Sequence, residues 1–100
     1  MWAMRRIAHT ARARSLSFPN QSRCYDSKRH AVRFWGHDGA MEASFFILAD
    51  ALCSLETGSP SDEPALLNAF DRNRDAIYAA AGKVYARGNK GNYDLVASDF

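Results

Sequence analysis

Cysteine, proline and long apolar runs are scarce in this chain of 100 residues. Its two cysteines, Cys24 and Cys53, stand 29 positions apart and form no CxxC pair. That excludes a disulfide framework and points to two reduced thiols in a cytoplasmic protein. The most hydrophobic run, Phe45 to Ala49, is far shorter than the ~18 residues a membrane span needs. No internal repeat and no low-complexity segment is present, and no Gly-rich loop runs into a Lys-Ser/Thr pair, so the P-loop class is excluded. Acid is missing from the first fifteen residues, where Arg5, Arg6, Arg12 and Arg14 gather.

That last absence changes the meaning of the net charge. The chain carries +2 overall, yet beyond Ser15 it holds nine basic against eleven acidic side chains, and this part is mildly acidic. The basic pI therefore says little about nucleic acid. Residues 1–17 read as a basic leader, a disordered tail or a start assigned too far upstream. They offer neither the apolar stretch nor the cleavage site of a secretory signal. The chain's 47% hydrophobic and 24% charged composition is that of a globular protein, and residues 18–100 read as one folded domain with one modest core.

Along that domain the pattern is regular. Asp26-Ser27-Lys28-Arg29 is a polar turn, with Tyr25 in a short strand before it. From His30 to Gly36, Val32 and Phe34 alternate with Arg33 and Trp35, the period of a strand. His37-Asp38-Gly39 supplies a turn in which Gly takes positive φ cheaply. Met41 to Ile47 then answers as the next strand. Leu48, Leu52 and Leu55 mark a short helix, and Thr57 to Ser61 breaks it. Ser61 or Asp62 caps a long helix predicted over Pro64 to Arg87, carrying Leu66, Phe70, Ile77, Ala81 and Val84 on one stripe. Gly88 caps its end, and Tyr93 to Ser98 alternates as a last strand. The order β-β-α-α-β gives an α+β fold, a small, mainly antiparallel sheet of three or four strands with helices packed on one face.

The words Phe18-Pro19-Asn20, Ser22-Arg23-Cys24-Tyr25-Asp26, Ala31 to Asp38, Phe70-Asp71-x-x-Arg74, Lys83 to Gly88 and the ending Leu95 to Phe100 occur in one order over four fifths of the chain. In this the chain resembles a family of small bacterial proteins catalogued as domain of unknown function 1488. The resemblance implies a fold but no activity, cofactor or catalytic residue. Such proteins typically begin near Leu16 to Pro19, so the leader departs from the pattern. They commonly carry Ser at the position of Cys24, which counts against an essential thiol there.

The candidate binding face is formed by Arg23, Tyr25, Arg29, Arg33, Trp35 and Phe46. If Val32 and Phe34 face the helices, Arg33 and Trp35 share the other face with Ser44 and Phe46, leaving two large aromatics uncovered. The expected occupant is a second copy of the chain or another protein, which makes this a non-catalytic binding or regulatory module. The alternative is single-stranded nucleic acid, held by cations on phosphates and aromatic rings under bases, with Lys28 assisting. A thiol, imidazole and carboxylate set from Cys53, His37 and Asp38 would be an enzyme's, but no spacing brings them together. Cys24, His30, His37 and Cys53 lack metal-ligand spacing, so no metal or other cofactor is expected. Asp71 with Arg74 reads as a helical ion pair. Gly88 to Asn92 reads as a capping turn rather than an anion nest.

Overall fold

The computed structural model describes residues 16–56, 58, 60–87 and 93–100. The leader through Ser15 and the turn at Gly88 to Asn92 lie outside the described residues. Strands β1 (Arg23–Asp26), β2 (Ala31–Asp38) and β3 (Met41–Leu48) precede helices α1 (Ala49–Leu55), α2 (Glu63–Arg72) and α3 (Arg74–Ala86). Strand β4 (Tyr93–Leu95) and a 3-10 turn at Ala97–Asp99 follow. The sheet order is β1-β2-β3-β4. The first three strands form an antiparallel meander, and β4 returns after the helices to pair parallel with β3. This is an α+β arrangement with a mixed four-stranded sheet.

Each turn has a local cause. The Asp26 carboxylate accepts the backbone N–H groups of Lys28 and Arg29, at 3.0 and 3.1 Å, closing the β1–β2 turn. Gly39, with φ of 63°, stands first in the two-residue loop between β2 and β3, where a hairpin needs a left-handed residue. Asp62 caps α2 by accepting from Ala65 N at 2.9 Å, and Pro64 sits harmlessly in the first turn.

The sheet alternation divides the side chains. Val32, Phe34, Phe45, Ile47, Tyr93 and Leu95 face the helices and meet Leu52, Leu66, Phe70, Ile77, Ala81 and Val84 in one core. Phe34 lies 5.3 Å from Phe45 and 5.2 Å from Phe70, ring centre to ring centre. The segment before β1 joins this layer. Ser17 exchanges both backbone hydrogen bonds with His37 at 2.8 Å, and the Phe18 ring stacks on Tyr78 at 3.9 Å. Gly36 makes room for it, since a Cβ there would stand 3.0 Å from Phe18 and 3.2 Å from Leu16 and Phe45.

Two expectations about the elements are corrected. The long helix is two helices, broken at Asn73, whose side-chain amide donates to Ala69 O at 2.8 Å and to Glu56 Oε2 at 2.7 Å. The last strand stops at Leu95 rather than Ser98. The Asp99 carboxylate takes the N–H of Val96 at 2.8 Å and so turns the chain into the 3-10 segment.

Candidate functional site

Strand alternation splits the six sequence-predicted residues between the two faces of the sheet. Arg23 and Tyr25 pair in register with Phe34 and Val32, so they face the helices. Arg33, Trp35 and Phe46 lie on the opposite face, which no described helix covers, and Arg29 reaches that face from the β1–β2 turn.

On the helix side, Arg23 binds Asp71 of α2 through two hydrogen bonds of 2.9 and 2.7 Å. Arg74 donates to the same carboxylate at 2.6 Å, to Gln21 O at 3.0 Å and to the Tyr78 hydroxyl at 2.7 Å, while its guanidinium covers Phe70. Hydrogen bonding from Arg23, opposed by burial and aided by Arg74, holds the Asp71 carboxyl below the usual range. The same contact raises Arg23. Tyr25 leans on the core and its hydroxyl meets His30 Nδ1 at 2.8 Å. This is a clamp between β1 and the α2–α3 junction. Pairing across the β1–β2 turn places Arg23 opposite Phe34 and so on the helix side, but its partner Asp71 lies 48 residues away, where no local pattern points to it.

The open face is arranged in rows across the strands. Cys24, Arg33, Phe46 and Asp94 form one row, Trp35 and Ser44 the next, His37 and Glu42 the third. Arg29 lies 4.2 Å above the Phe46 ring and Arg33 5.6 Å from it, with Arg33 also 5.2 Å from Trp35. Phe46 is consequently only 4% exposed, where the sequence pattern suggested an uncovered ring. Arginines serve as its roof, each stacked guanidinium contributing on the order of 0.5–2 kcal/mol. Trp35 is half-buried. Arg29 also pairs with Asp94 at 3.4 Å, a partner the sequence reading missed because β4 is 65 residues away from that turn. Arg33 Nη2 donates to Ser44 at 3.1 Å, and its Nε is buried with no hydrogen bond among the described residues. His37 Nε2 stands 3.6 Å from Glu42.

The remaining candidates do not converge. His37 points to the open face, whereas Asp38 accepts from the Tyr85 hydroxyl at 2.8 Å on the helix side. Cys53, on α1, donates its thiol hydrogen to Pro60 O at 3.3 Å. Among the described residues no cluster of three His, Cys, Asp or Glu could hold a metal. A shallow depression of about 130 Å³ beside Arg29, His30, Leu48, Ala49 and Asp50 is well below the ~300 Å³ at which small-molecule pockets begin. No described helix is long and apolar enough to cross a membrane.

This fold has a solved counterpart. A crystal structure of a protein of unknown function from the DUF1488 family of Shewanella loihica PV-4 superposes with a TM-score of 0.72. Sequence identity is 20%, over 82% of this chain and 92% of that one. No curated protein matches. The model of the family described as protein of unknown function (DUF1488) matches residues 16–96, which takes in both the Arg23–Asp71–Arg74 clamp and the open sheet face, and the chain belongs to that family.

Proposed function

We propose that this protein is a non-catalytic cytosolic binding module that takes a protein partner on its open sheet face. The observation that carries the reading is the stack of Arg29, Phe46, Arg33 and Trp35 on the side of the sheet that no described helix covers. Tryptophan and arginine supply the anchors of protein interfaces, because each combines a large flat surface with directional polar groups. The same stack argues against single-stranded nucleic acid. The Phe46 ring is roofed by guanidinium groups, Arg29 is engaged with Asp94, and Arg23 lies on the other face with Asp71. A base would find no free ring at Phe46, and Asp94 and Glu42 would repel phosphate.

A photo-reactive phenylalanine analogue introduced at position 24, exposed in the Arg33 row, tests this in cells. Protein adducts are expected from position 24 and not from a control at the exposed Ala79 on α3. Adducts that disappear with nuclease, equal labelling from both positions, or no adduct at position 24 would each refute the reading.

A further inference from the structure

We infer that the partner taken by the open face is a second copy of this chain, packed sheet against sheet with strands in opposite sense, so that Arg33 of each copy meets Glu42 of the other. The inference rests on the reading that this face binds protein.

The face is nearly self-complementary about its middle row. Trp35 and Ser44 are paired in register at its centre. Arg33 and Phe46 lie two residues to one side of them, His37 and Glu42 two residues to the other. Arg33 has no carboxylate partner among the described residues; it holds only the Ser44 hydroxyl, and its Nε makes no hydrogen bond. Its Nε is buried, so the remaining Nη donors of this half-buried guanidinium are the ones an incoming carboxylate would satisfy. Glu42 is the matching half. Its side chain is 52% exposed and its sole described ion-pair contact is His37 at 3.6 Å.

Within one chain these two groups cannot meet. They are separated by four residues of strand, about 13 Å at ~3.3 Å per residue. A twofold axis lying across the strands, along the Trp35–Ser44 row, sets Arg33 of one copy over His37 of the other, one strand spacing of about 4.8 Å from Glu42 and within reach of its side chain. Symmetry then repeats the contact. Facing sheets lie about 10 Å apart, a gap that long Arg and Glu side chains bridge from opposite sides. A twofold axis along the strands would instead hold Arg33 rows in the same band, like charge beside like charge. The charge pattern thus selects the opposite-sense arrangement. Trp35 takes the centre of the interface, where anchor residues are most fully desolvated.

Sedimentation equilibrium of the full chain at micromolar concentrations reads the assembly. A monomer–dimer equilibrium is expected. Arg33→Glu and Glu42→Arg should each raise the dissociation constant about tenfold or more, because each places like charges together twice. The combined charge swap, Arg33→Glu with Glu42→Arg, should return it toward the wild-type value. Glu42 is exposed on a hairpin strand, so Glu42→Gln and Glu42→Arg read the same contact if Arg33→Glu fails to fold. A wild-type chain that stays monomeric overturns the inference, as does a dimer indifferent to Glu42, or a double variant no tighter than the single ones. A monomer that still cross-links other proteins from position 24 overturns this inference alone and leaves the proposed function standing. A monomer with no adducts overturns both.

Discussion

Asp71 shows how a single side chain can tie this domain together. It accepts from Arg23 of β1 and from Arg74 of α3, so one carboxylate joins the edge of the sheet to the helix layer. All three side chains are partly exposed, which limits the worth of the cluster to about 1 kcal/mol despite its bidentate geometry. Asp71→Asn should therefore lower Tm by about 4–8 °C at pH 7. The pH dependence has a definite sign. The folded-state pKa of Asp71 is depressed, so its stabilisation is complete above the unfolded value of about 3.9 and is lost as pH falls through the folded value. The gap in Tm between wild type and Asp71→Asn should stay constant from pH 7 to about 5 and narrow progressively below about 3.9, where the unfolded chain takes up the proton first. Thermal unfolding followed by circular dichroism at pH 7 and pH 3 measures it. A gap of equal size at both would mean that charge is not what Asp71 contributes.

The break between α2 and α3 marks where local pattern stops being informative. Leu66, Phe70, Ile77, Ala81 and Val84 keep one helical phase through Asn73, and all five are buried. The hydrophobic stripe therefore reads as one helix. What interrupts it comes from another element, since Glu56, just past α1, binds the Asn73 amide and the Arg72 guanidinium. These hydrogen bonds also hold the Glu56 carboxyl below its usual range, Arg72 contributing most. The strands, the Gly39 turn and the Asp62 cap depend on period and turn chemistry within a few residues, and the sequence shows them. The Arg23–Asp71 and Arg29–Asp94 pairs depend on which elements meet, and it does not. The same division runs through the candidate site. Alternation puts Arg33, Trp35 and Phe46 on one face, but the arginine roof over Phe46 needs the turn at Arg29 to fold back. Asn73→Ala removes the Glu56 contact while offering a better helix former at the junction. The lost hydrogen bonds should outweigh the gain, leaving a net destabilisation of about 1 kcal/mol. The urea midpoint should fall with an unchanged slope. In combination with Glu56→Ala the second change should cost less than it does alone, and strict additivity would show that Asn73 and Glu56 act independently.

At the scale of the whole molecule the sheet is built from contacts of very unequal range. β1, β2 and β3 are joined by tight turns, whereas β4 must return across all three helices to pair Tyr93 with Phe45. Closing so long a loop costs entropy that a three-residue strand recovers only through Tyr93 and Leu95, both buried in the core. The centre of the sheet and its β4 edge should accordingly differ in local stability. Native-state hydrogen exchange should find the amides of β2 and the second half of β3 opening only with global unfolding, and those of β4 opening at a lower free energy. This matters for the open face, because β4 carries Asp94, which holds Arg29 above Phe46. Release of β4 would loosen the roof of Phe46 without disturbing the Trp35–Ser44 row at the centre. Asp94→Ala should then leave Tm nearly unchanged, as expected for an exposed pair, while raising the exposure of Phe46 and the exchange of neighbouring β3 amides. Equal exchange free energies in β4 and β2 would show instead that the sheet opens as one unit, with the binding face as rigid as the core behind it.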